Sequence, residues 1–228
     1  MEFKIDAAER EATSGLLKDF ATHKNITVEY VYKTSWKRFN TIEGNIEALI
    51  GFNKILSEDK SNLGYEQFPL IIHRFMYGDL FTFAGKYRSK KDPNSGNVYF
   101  GRQHAQQRKP KLRGDHPDKI EKGVKKAVSY FETEKNPLFA AILFYQKFTD
   151  VHPFYDGNGR IARLIANIYL AGLNLTINWS EFDSKNSFIR KLNRCHLNPA
   201  PGTFKILHDY IKKFTLSLDD LSNLDKEP

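Results

Sequence analysis

One short stretch of the sequence concentrates the residue types that bind anions. Residues 151–163 read VHPFYDGNGRIAR and lie between two segments with helical periodicity. The Gly-Asn-Gly triplet at 157–159 tolerates unusual backbone angles, so successive N–H groups can point into one concavity at a helix start. Arg160 and Arg163 project from one face of that helix. Because positive side chains are unfavourable at the positive end of a helix, the arrangement predicts a negative ligand such as a polyphosphate.

Two titratable residues flank the triplet. Asp156 would be unfavourable beside an anion unless it held a cation, and Mg²⁺ on a phosphate is the usual partner. His152, at the other end of the loop, is a residue type that serves as a general base. Each feature alone has a plain structural explanation, since Gly-Asn-Gly turns and histidines before proline are commonplace. Their combination within twelve residues favours phosphate chemistry, and Phe154 is predicted to anchor the loop as an apolar plug.

Helices must position this loop, because apolar residues recur at helical spacing along most of the chain. Pro137 suits the first turn of the helix before the loop, and Gly172 suits the C-cap of the helix after it. The predicted helical segments are 28–42, 68–81, 118–131, 137–149, 158–171, 182–194 and 203–218. The exception is the turn-rich segment 86–100, which predicts a small β-hairpin. The predicted fold class is therefore all-α, with one small hairpin, and the polar tail after Leu221 is predicted to fray.

Composition excludes several classes of protein. The 228 residues are 40% hydrophobic and 14% aromatic, enough for a substantial core. The apolar runs are short and broken by charge, and the N-terminus is charged from its second residue, so neither a transmembrane helix nor a secretory signal is expected. A single cysteine, Cys195, excludes an internal disulfide framework and fits a cytoplasmic protein. It is expected to be an ordinary packed thiol.

The formal net charge of +8 is unevenly distributed along the chain. Residues 86–126 hold 13 Lys or Arg and four Asp or Glu, and they include the basic run RKPKLR at 108–113. Such a segment can bind the backbone of nucleic acid, with Tyr99 or Phe100 stacking on bases. The alternative is a solvated basic surface beside a nucleotide cleft. This alternative is preferred, because the 151–163 loop already predicts a small anionic ligand. Neither a nucleic acid nor a membrane is an expected partner.

HPFYDGNGRIAR resembles the signature of the Fic family, His-Pro-Phe-x-Asp/Glu-Gly-Asn-Gly-Arg followed by a second Arg, at every defining position. The segment LFTFAGKYR resembles the part of the family that precedes its β-hairpin flap, and the resemblance covers roughly 65–194. It implies a Fic-type helical bundle and transfer of AMP from ATP to a Ser, Thr or Tyr hydroxyl of a target protein. Auto-AMPylation is implied as well.

The resemblance also implies a role for each residue of the loop. His152 would be the general base, and Asp156 would hold the Mg²⁺ that bridges the α- and β-phosphates. Arg160 would contact the leaving pyrophosphate, and Arg163 would hold the γ-phosphate. The anion hole would be formed by Gly157, Asn158 and Gly159. Doc-like relatives that phosphorylate carry Lys where this chain has Gly159, so the glycine favours AMP transfer.

In Fic proteins the flap holds the target segment by main-chain hydrogen bonds, and an inert surface hairpin is the alternative reading here. The predicted flap residues are Gly96, Asn97, Val98, Tyr99 and Phe100.

A second resemblance lies upstream of the loop. NTIEGN resembles the family's inhibitory motif, Ser/Thr-x-x-x-Glu-Gly/Asn, in its N-terminal arrangement, which defines the second regulatory class. It implies that Glu43 pairs with Arg163 and represses the enzyme, although Phe39 stands where the family has Ser or Thr. Without the resemblance, an acidic residue just before the predicted C-cap Gly44 opposes the helix dipole and reads as a tolerated exposed side chain. Some relatives also use this Glu to remove AMP, and the sequence leaves that open.

Alternatives remain within the same fold. The His152 base would serve transfer of UMP, phosphate or phosphocholine equally well, and only the donor pocket discriminates among them. The predicted organisation has N-terminal helices at 1–60, within the same globular unit, a Fic core at 61–200 and a C-terminal helix with its tail at 201–228. The oligomeric state is open, with a homodimer among the options.

Overall fold

The computed structural model describes residues 7–58, 65–100, 112–182 and 185–220. The tail beyond Leu221 and most of the basic run 108–113 lie outside these ranges. The α-helices are α1 (Ala7–Phe20), α2 (Val28–Glu43), α3 (Ile46–Glu58), α4 (Phe68–Tyr77), α5 (Pro117–Thr133), α6 (Pro137–Val151), α7 (Asn158–Ala171), α8 (Asn186–Leu197) and α9 (Pro201–Ile211). The strands are β1 (Tyr99–Phe100), β2 (Leu112–Arg113), β3 (Leu175–Ile177) and β4 (Thr215–Ser217). The all-α class is confirmed.

Helix α7 lies at the centre of the bundle. It packs against α2, α3, α4, α6 and β3. Almost every one of its side chains is buried, including Arg160 and Arg163 in its first turns. The helix therefore carries two charged residues inside the most enclosed part of the fold, and neighbouring elements must supply their partners.

Local signals explain the helices around the loop. Helix α6 begins at Pro137, with the Asn136 side chain accepting a hydrogen bond from the N–H of Phe139. Helix α7 ends at Ala171, before Gly172. Helix α2 ends at Glu43, where the N–H of Gly44 donates to Asn40 O. These boundaries agree with the sequence prediction, because proline and glycine start or end a helix through the conformation of their own backbone.

The predicted position of the hairpin is wrong. Strand β1 pairs with β2 across 101–111, with Tyr99 opposite Arg113 and Phe100 opposite Leu112. The Asn- and Gly-rich cluster forms instead a single 3₁₀ turn, Pro93–Gly96, with positive φ at Asn94, Ser95 and Gly96. The N–H of Asn97 closes this turn by donating to Asn94 O, and Asp92, just before the turn, accepts the N–H of Ser89. The Pro, Asn, Ser and Gly residues that predicted a hairpin turn form this 3₁₀ turn instead, and the turn does not join two strands.

The C-terminal helices differ from the prediction as well. Helix α8 begins at Asn186 rather than at 182, and α9 ends at Ile211 rather than at 218. The chain then enters β4, whose residues pair antiparallel with β3 in a second small sheet that was not predicted. Partner strands distant in sequence override a weak helical pattern, so this sheet is a tertiary effect.

Candidate active site

The catalytic candidate His152 lies just past the end of α6 in a left-handed conformation. Its φ is 51° and its ψ is 60°, and its N–H donates to Phe148 O, which terminates the helix. Such backbone angles are strained for a non-glycine residue and persist where neighbours hold them. Here Arg88 holds them, since its Nε donates to His152 O at 2.8 Å.

The ring of His152 is oriented as a base. Its Nδ1 lies 3.2 Å from Thr149 O. A carbonyl only accepts hydrogen bonds, so Nδ1 carries the proton and Nε2 keeps its lone pair. Burial lowers the pKa of His152 to about 4, against the opposing effect of the Thr149 hydrogen bond, and the nearby Arg88 lowers it further. The imidazole is therefore neutral at pH 7 and able to accept a proton.

Arg88 is a functional residue that the sequence prediction missed. Its guanidinium is buried and donates to Gly96 O, to Asp115 O at 2.9 Å and to His152 O. Burial lowers its pKa to about 10, so it stays charged at pH 7. It thereby connects the base of the hairpin to the backbone of His152. The available signal was a cation at the end of the largely apolar segment LFTFAGKYR.

The loop between α6 and α7 is shaped from within. The Asn158 side chain accepts the N–H of Phe154 and donates to Phe154 O, both at 2.9 Å. Phe154 is fully buried and stacks on His73 with ring centroids 3.9 Å apart, as the predicted apolar plug. The side chain of Asn158 is thus used for loop structure, and its N–H is the group it can offer to an anion.

Gly157 and Gly159 have different environments. Gly157 has a φ of 77°, and a Cβ there would lie 2.8 Å from two atoms of the Tyr77 ring system. Among the described residues, no atom apart from the adjoining backbone lies within 4 Å of a Cβ placed on Gly159. Space is therefore open at Gly159, at the start of α7, where N–H groups have no acceptor within the helix.

Replacing Gly157 with alanine is expected to destabilise the protein by about 1–3 kcal/mol, through left-handed strain and the collision with Tyr77. Gly159→Ala is the matched control: it should leave the urea unfolding midpoint nearly unchanged while weakening AMPPNP binding. Equal loss of stability in the two variants would contradict this interpretation.

Asp156 belongs to a buried polar cluster. Its Oδ2 accepts from the Tyr77 hydroxyl and from Arg160 Nη2, both at 3.0 Å. Arg160 also donates from Nη1 to Ser35 Oγ at 2.9 Å. Its Cζ lies 5.4 Å from the ring centroid of Trp36 and 5.6 Å from that of Tyr77. Helices α2 and α4 therefore both contribute to the position of the signature acid and the first arginine.

Arg163 and Glu43 lie on facing helices. The guanidinium carbon of Arg163 lies 5.2 Å from the centroid of Phe39, which is fully buried in α2. Glu43 follows Phe39 by one helical turn, so both share the face of α2 that meets α7. The Oε1 of Glu43 and the Nε of Arg163 are both buried. The aromatic ring of Phe39 thus packs against the second arginine of the loop.

The predicted flap residues separate into two groups. Gly96 is buried, and its carbonyl is held by Arg88. Asn97 accepts a hydrogen bond from Arg113 Nη2 at 2.6 Å, and Val98 O accepts the N–H of Gly114. These three residues anchor the base of the hairpin.

The outer flap residues reach the site and the surface. The Phe100 ring stacks on His152, with centroids 4.2 Å apart and planes 5° from parallel. The Tyr99 side chain is 55% exposed. Phe100 therefore covers one face of the His152 ring, and Tyr99 is exposed to solvent.

His73 packs against Phe154 of the loop and makes the stability of the protein depend on pH. Its Nδ1 accepts the N–H of Gly85 at 2.9 Å, and burial lowers its pKa to about 3. The unfolded chain takes up this proton near pH 6.5, so the free energy of unfolding should fall as the pH drops below that value. We expect His73 alone to remove about 2 kcal/mol between pH 7 and 5.

Urea unfolding at the two pH values measures this loss, and His73→Asn, which keeps an acceptor near Gly85, should reduce it. The same pH dependence in both proteins would show that other groups cause it.

The described residues lack two kinds of feature. In the parts of the chain that the structure covers, no helix is long and apolar enough to cross a membrane. Within the same ranges, no group of three or more His, Cys, Asp or Glu side chains is placed to hold a metal ion. Asp156 is the carboxylate that belongs to the loop itself, and the loop residue Tyr155 donates a hydrogen bond to Asp92.

The fold and the loop together define a Fic domain. Residues 66–170 match the model of the Fic/DOC family. Residues 66–170 therefore form a Fic/DOC family domain, and members of this family transfer AMP or other groups onto proteins.

Solved structures share the fold at low sequence identity. A Fic domain containing signaling protein from Bacteroides thetaiotaomicron is 19% identical with a TM-score of 0.59, over 88% of this chain and 74% of that one. The N-terminal Fic domain of a VirB-translocated Bep effector protein from Bartonella quintana, with bound ADP, is 14% identical with a TM-score of 0.57, over 88% and 92%. BepC from Bartonella tribocorum, with bound AMPPNP, is 15% identical with a TM-score of 0.50, over 81% and 88%.

Proposed function

We propose that this protein transfers AMP from ATP to a hydroxyl side chain of a target protein. The observation that carries the proposal is the neutral His152 ring, with its Nε2 lone pair available, beside the open start of α7 at Gly159. A base and an anion site within one loop are the parts that transfer of a phosphate-containing group requires.

The reaction is a substitution at the α-phosphorus of ATP. The target oxygen forms a bond to the α-phosphorus, and the bond from that phosphorus to the oxygen bridging to the β-phosphate breaks. The hydroxyl proton passes to Nε2 of His152, and pyrophosphate leaves with the electron pair of the broken bond. Charge neutralisation by Arg163 and the N–H groups of the α7 start lowers the barrier.

Asp156 fits the role of a Mg²⁺ ligand. Mg²⁺ prefers hard oxygen donors and commonly takes one or two carboxylates, with phosphate oxygens and water completing its shell. The carboxylate lies beside the anion site and is held by Tyr77 and Arg160 through one oxygen, Oδ2. When bound, the cation would neutralise phosphate charge.

Nucleotide binding by relatives supports the proposed donor. The Bartonella quintana domain holds ADP and BepC holds AMPPNP, so both proteins accept adenine nucleotides. The open space at Gly159 leaves room for phosphates at the corresponding point of this chain. Transfer of AMP rather than phosphate is proposed because a lysine, the Doc-like alternative, is absent at this position.

The flap is proposed to hold the target. Within the described residues, β1 pairs with β2 alone, which leaves its other edge able to accept an extended segment. Tyr99 is exposed beside that edge, and Phe100 reaches the catalytic ring. A bound segment would thus lie close to His152.

Glu43 is proposed to restrain the enzyme. It lies on the face of α2 that meets α7, one turn beyond the Phe39 ring that packs against Arg163. A carboxylate paired with Arg163 would compete with the γ-phosphate for that guanidinium. The motif resemblance and the shared helix face support this pairing.

Mass spectrometry of the purified protein after incubation with ATP and Mg²⁺ tests the proposed reaction. An added AMP group on the protein itself is the expected result. An adduct with the mass of phosphate would identify phosphorylation instead. Equal incubations with UTP distinguish UMP transfer, and an unmodified protein in the activated variant Glu43→Gly would contradict the proposal.

A further inference from the structure

Helix α2 contacts the first signature arginine as well as the second. Ser35, which is 1% exposed, accepts a hydrogen bond from Arg160 Nη1 at 2.9 Å. Its own hydroxyl proton is directed to Tyr32 O at 3.3 Å, so a lone pair of Oγ faces the guanidinium. Trp36, the next residue, packs its ring over the same guanidinium.

This contact continues to the acid of the loop. Arg160 Nη2 donates to Asp156 Oδ2, and the Tyr77 hydroxyl donates to the same oxygen. The guanidinium is planar, so fixing Nη1 at Ser35 also fixes the direction in which Nη2 points. Two donors on one carboxylate oxygen set the orientation of the whole carboxylate.

We infer that Ser35 is a positioning residue, which orients Asp156 through Arg160 for the cation that accompanies the nucleotide. The inference rests on the proposed function, in which Asp156 holds Mg²⁺. It gives α2 two opposite effects on one active site: the turn at Ser35 builds the site, and the turn at Glu43 restrains it. A helix that acted only as a restraint would be dispensable for activity.

Removing the Ser35 hydroxyl leaves a buried N–H of Arg160 without this acceptor. A buried donor that has lost its acceptor is costly, so the guanidinium is expected to turn toward another oxygen and release the carboxylate from its orientation. Groups that orient a metal ligand typically change metal affinity or activity by about 10–100-fold when they are removed.

Calorimetry with AMPPNP tests the inference without using activity. Wild type and Ser35→Ala are titrated with AMPPNP in the presence of Mg²⁺ and again in EDTA. We expect Ser35→Ala to weaken binding about tenfold with Mg²⁺ and to leave binding in EDTA nearly unchanged. Ser35→Thr, which keeps a hydroxyl, should restore the Mg²⁺-dependent part. Thr41→Ala removes an exposed hydroxyl from the same helix and serves as the matched control.

Two further measurements separate the interpretations. In the Glu43→Gly background, Ser35→Ala should lower AMP transfer, and Tyr77→Phe, which removes the other donor to Asp156 Oδ2, should act in the same direction. If Ser35→Ala instead raises transfer in the otherwise wild-type protein, or leaves Mg²⁺-dependent binding intact, the positioning role is wrong while the proposed function stands. If wild type and Glu43→Gly neither bind AMPPNP nor transfer AMP, the proposed function fails and this inference fails with it.

Discussion

Replacing His152 with alanine should abolish AMP transfer, with a loss of at least about 10²–10⁴-fold. The Nε2 atom of this ring is the proposed acceptor of the hydroxyl proton, and alanine offers no base. The measurement is incorporation of label from ATP carrying a labelled α-phosphate. Nucleotide binding should survive, because the start of α7 and Arg163 are unchanged.

The left-handed backbone at residue 152 requires a second variant. Alanine is strained at a φ of 51°, so some loss of activity could come from the loop changing shape. Asparagine tolerates this region far better, and His152→Asn should therefore keep the loop while lacking the base. Substantial transfer by His152→Asn would show that another group accepts the proton.

Replacing Glu43 with glycine should increase AMP transfer. The expected increase is about 5–150-fold, the usual range for a coupling between two sites, because Arg163 would become available to the γ-phosphate. Both self-modification and target labelling should rise, and the same labelling assay measures them. Since Glu43 is the last residue of α2, glycine at this position disturbs little of the helix.

A matched substitution on the same helix controls for charge and flexibility. Glu29→Gly also removes one negative charge from a terminal turn of α2, at the opposite end, where its partner is the exposed Lys33. It should not activate the enzyme. Glu43→Gln, which keeps the shape and removes the charge, should activate in part. Activation by Glu29→Gly to the level of Glu43→Gly would mean that loosening α2, rather than releasing Arg163, is the cause.

Local chemistry explains which elements could be predicted. The helices on either side of the loop were predicted within two residues, because Pro137 and Gly172 act through their own backbone. A polyphosphate ligand was predicted from a glycine turn followed by two arginines, and it stays a prediction for this chain. The burial of Phe154 was also predicted, because a large apolar side chain in a polar loop is expected to pack into the core.

The missed elements depend on partners that are distant along the chain. Strand β4 exists because β3 lies beside it, about 40 residues earlier. The Asn- and Gly-rich cluster was interpreted as a hairpin turn, whereas β1 finds its partner beyond 101–111. Arg88 and Ser35 look ordinary in the sequence, and their importance comes from Gly96, His152 and Arg160, which the fold brings to them.

The enclosure of α7 has a consequence for turnover. A helix packed on all sides by α2, α3, α4 and α6 cannot shift without disrupting the core, so the phosphate end of the site is expected to stay fixed while substrates come and go. Entry of nucleotide and release of product then depend on more peripheral elements such as the flap. Exchange that requires such elements to open commonly sets the overall rate of an enzyme. If this protein transfers AMP as proposed, differences from its relatives are accordingly expected in the rate of product release rather than in the chemical step.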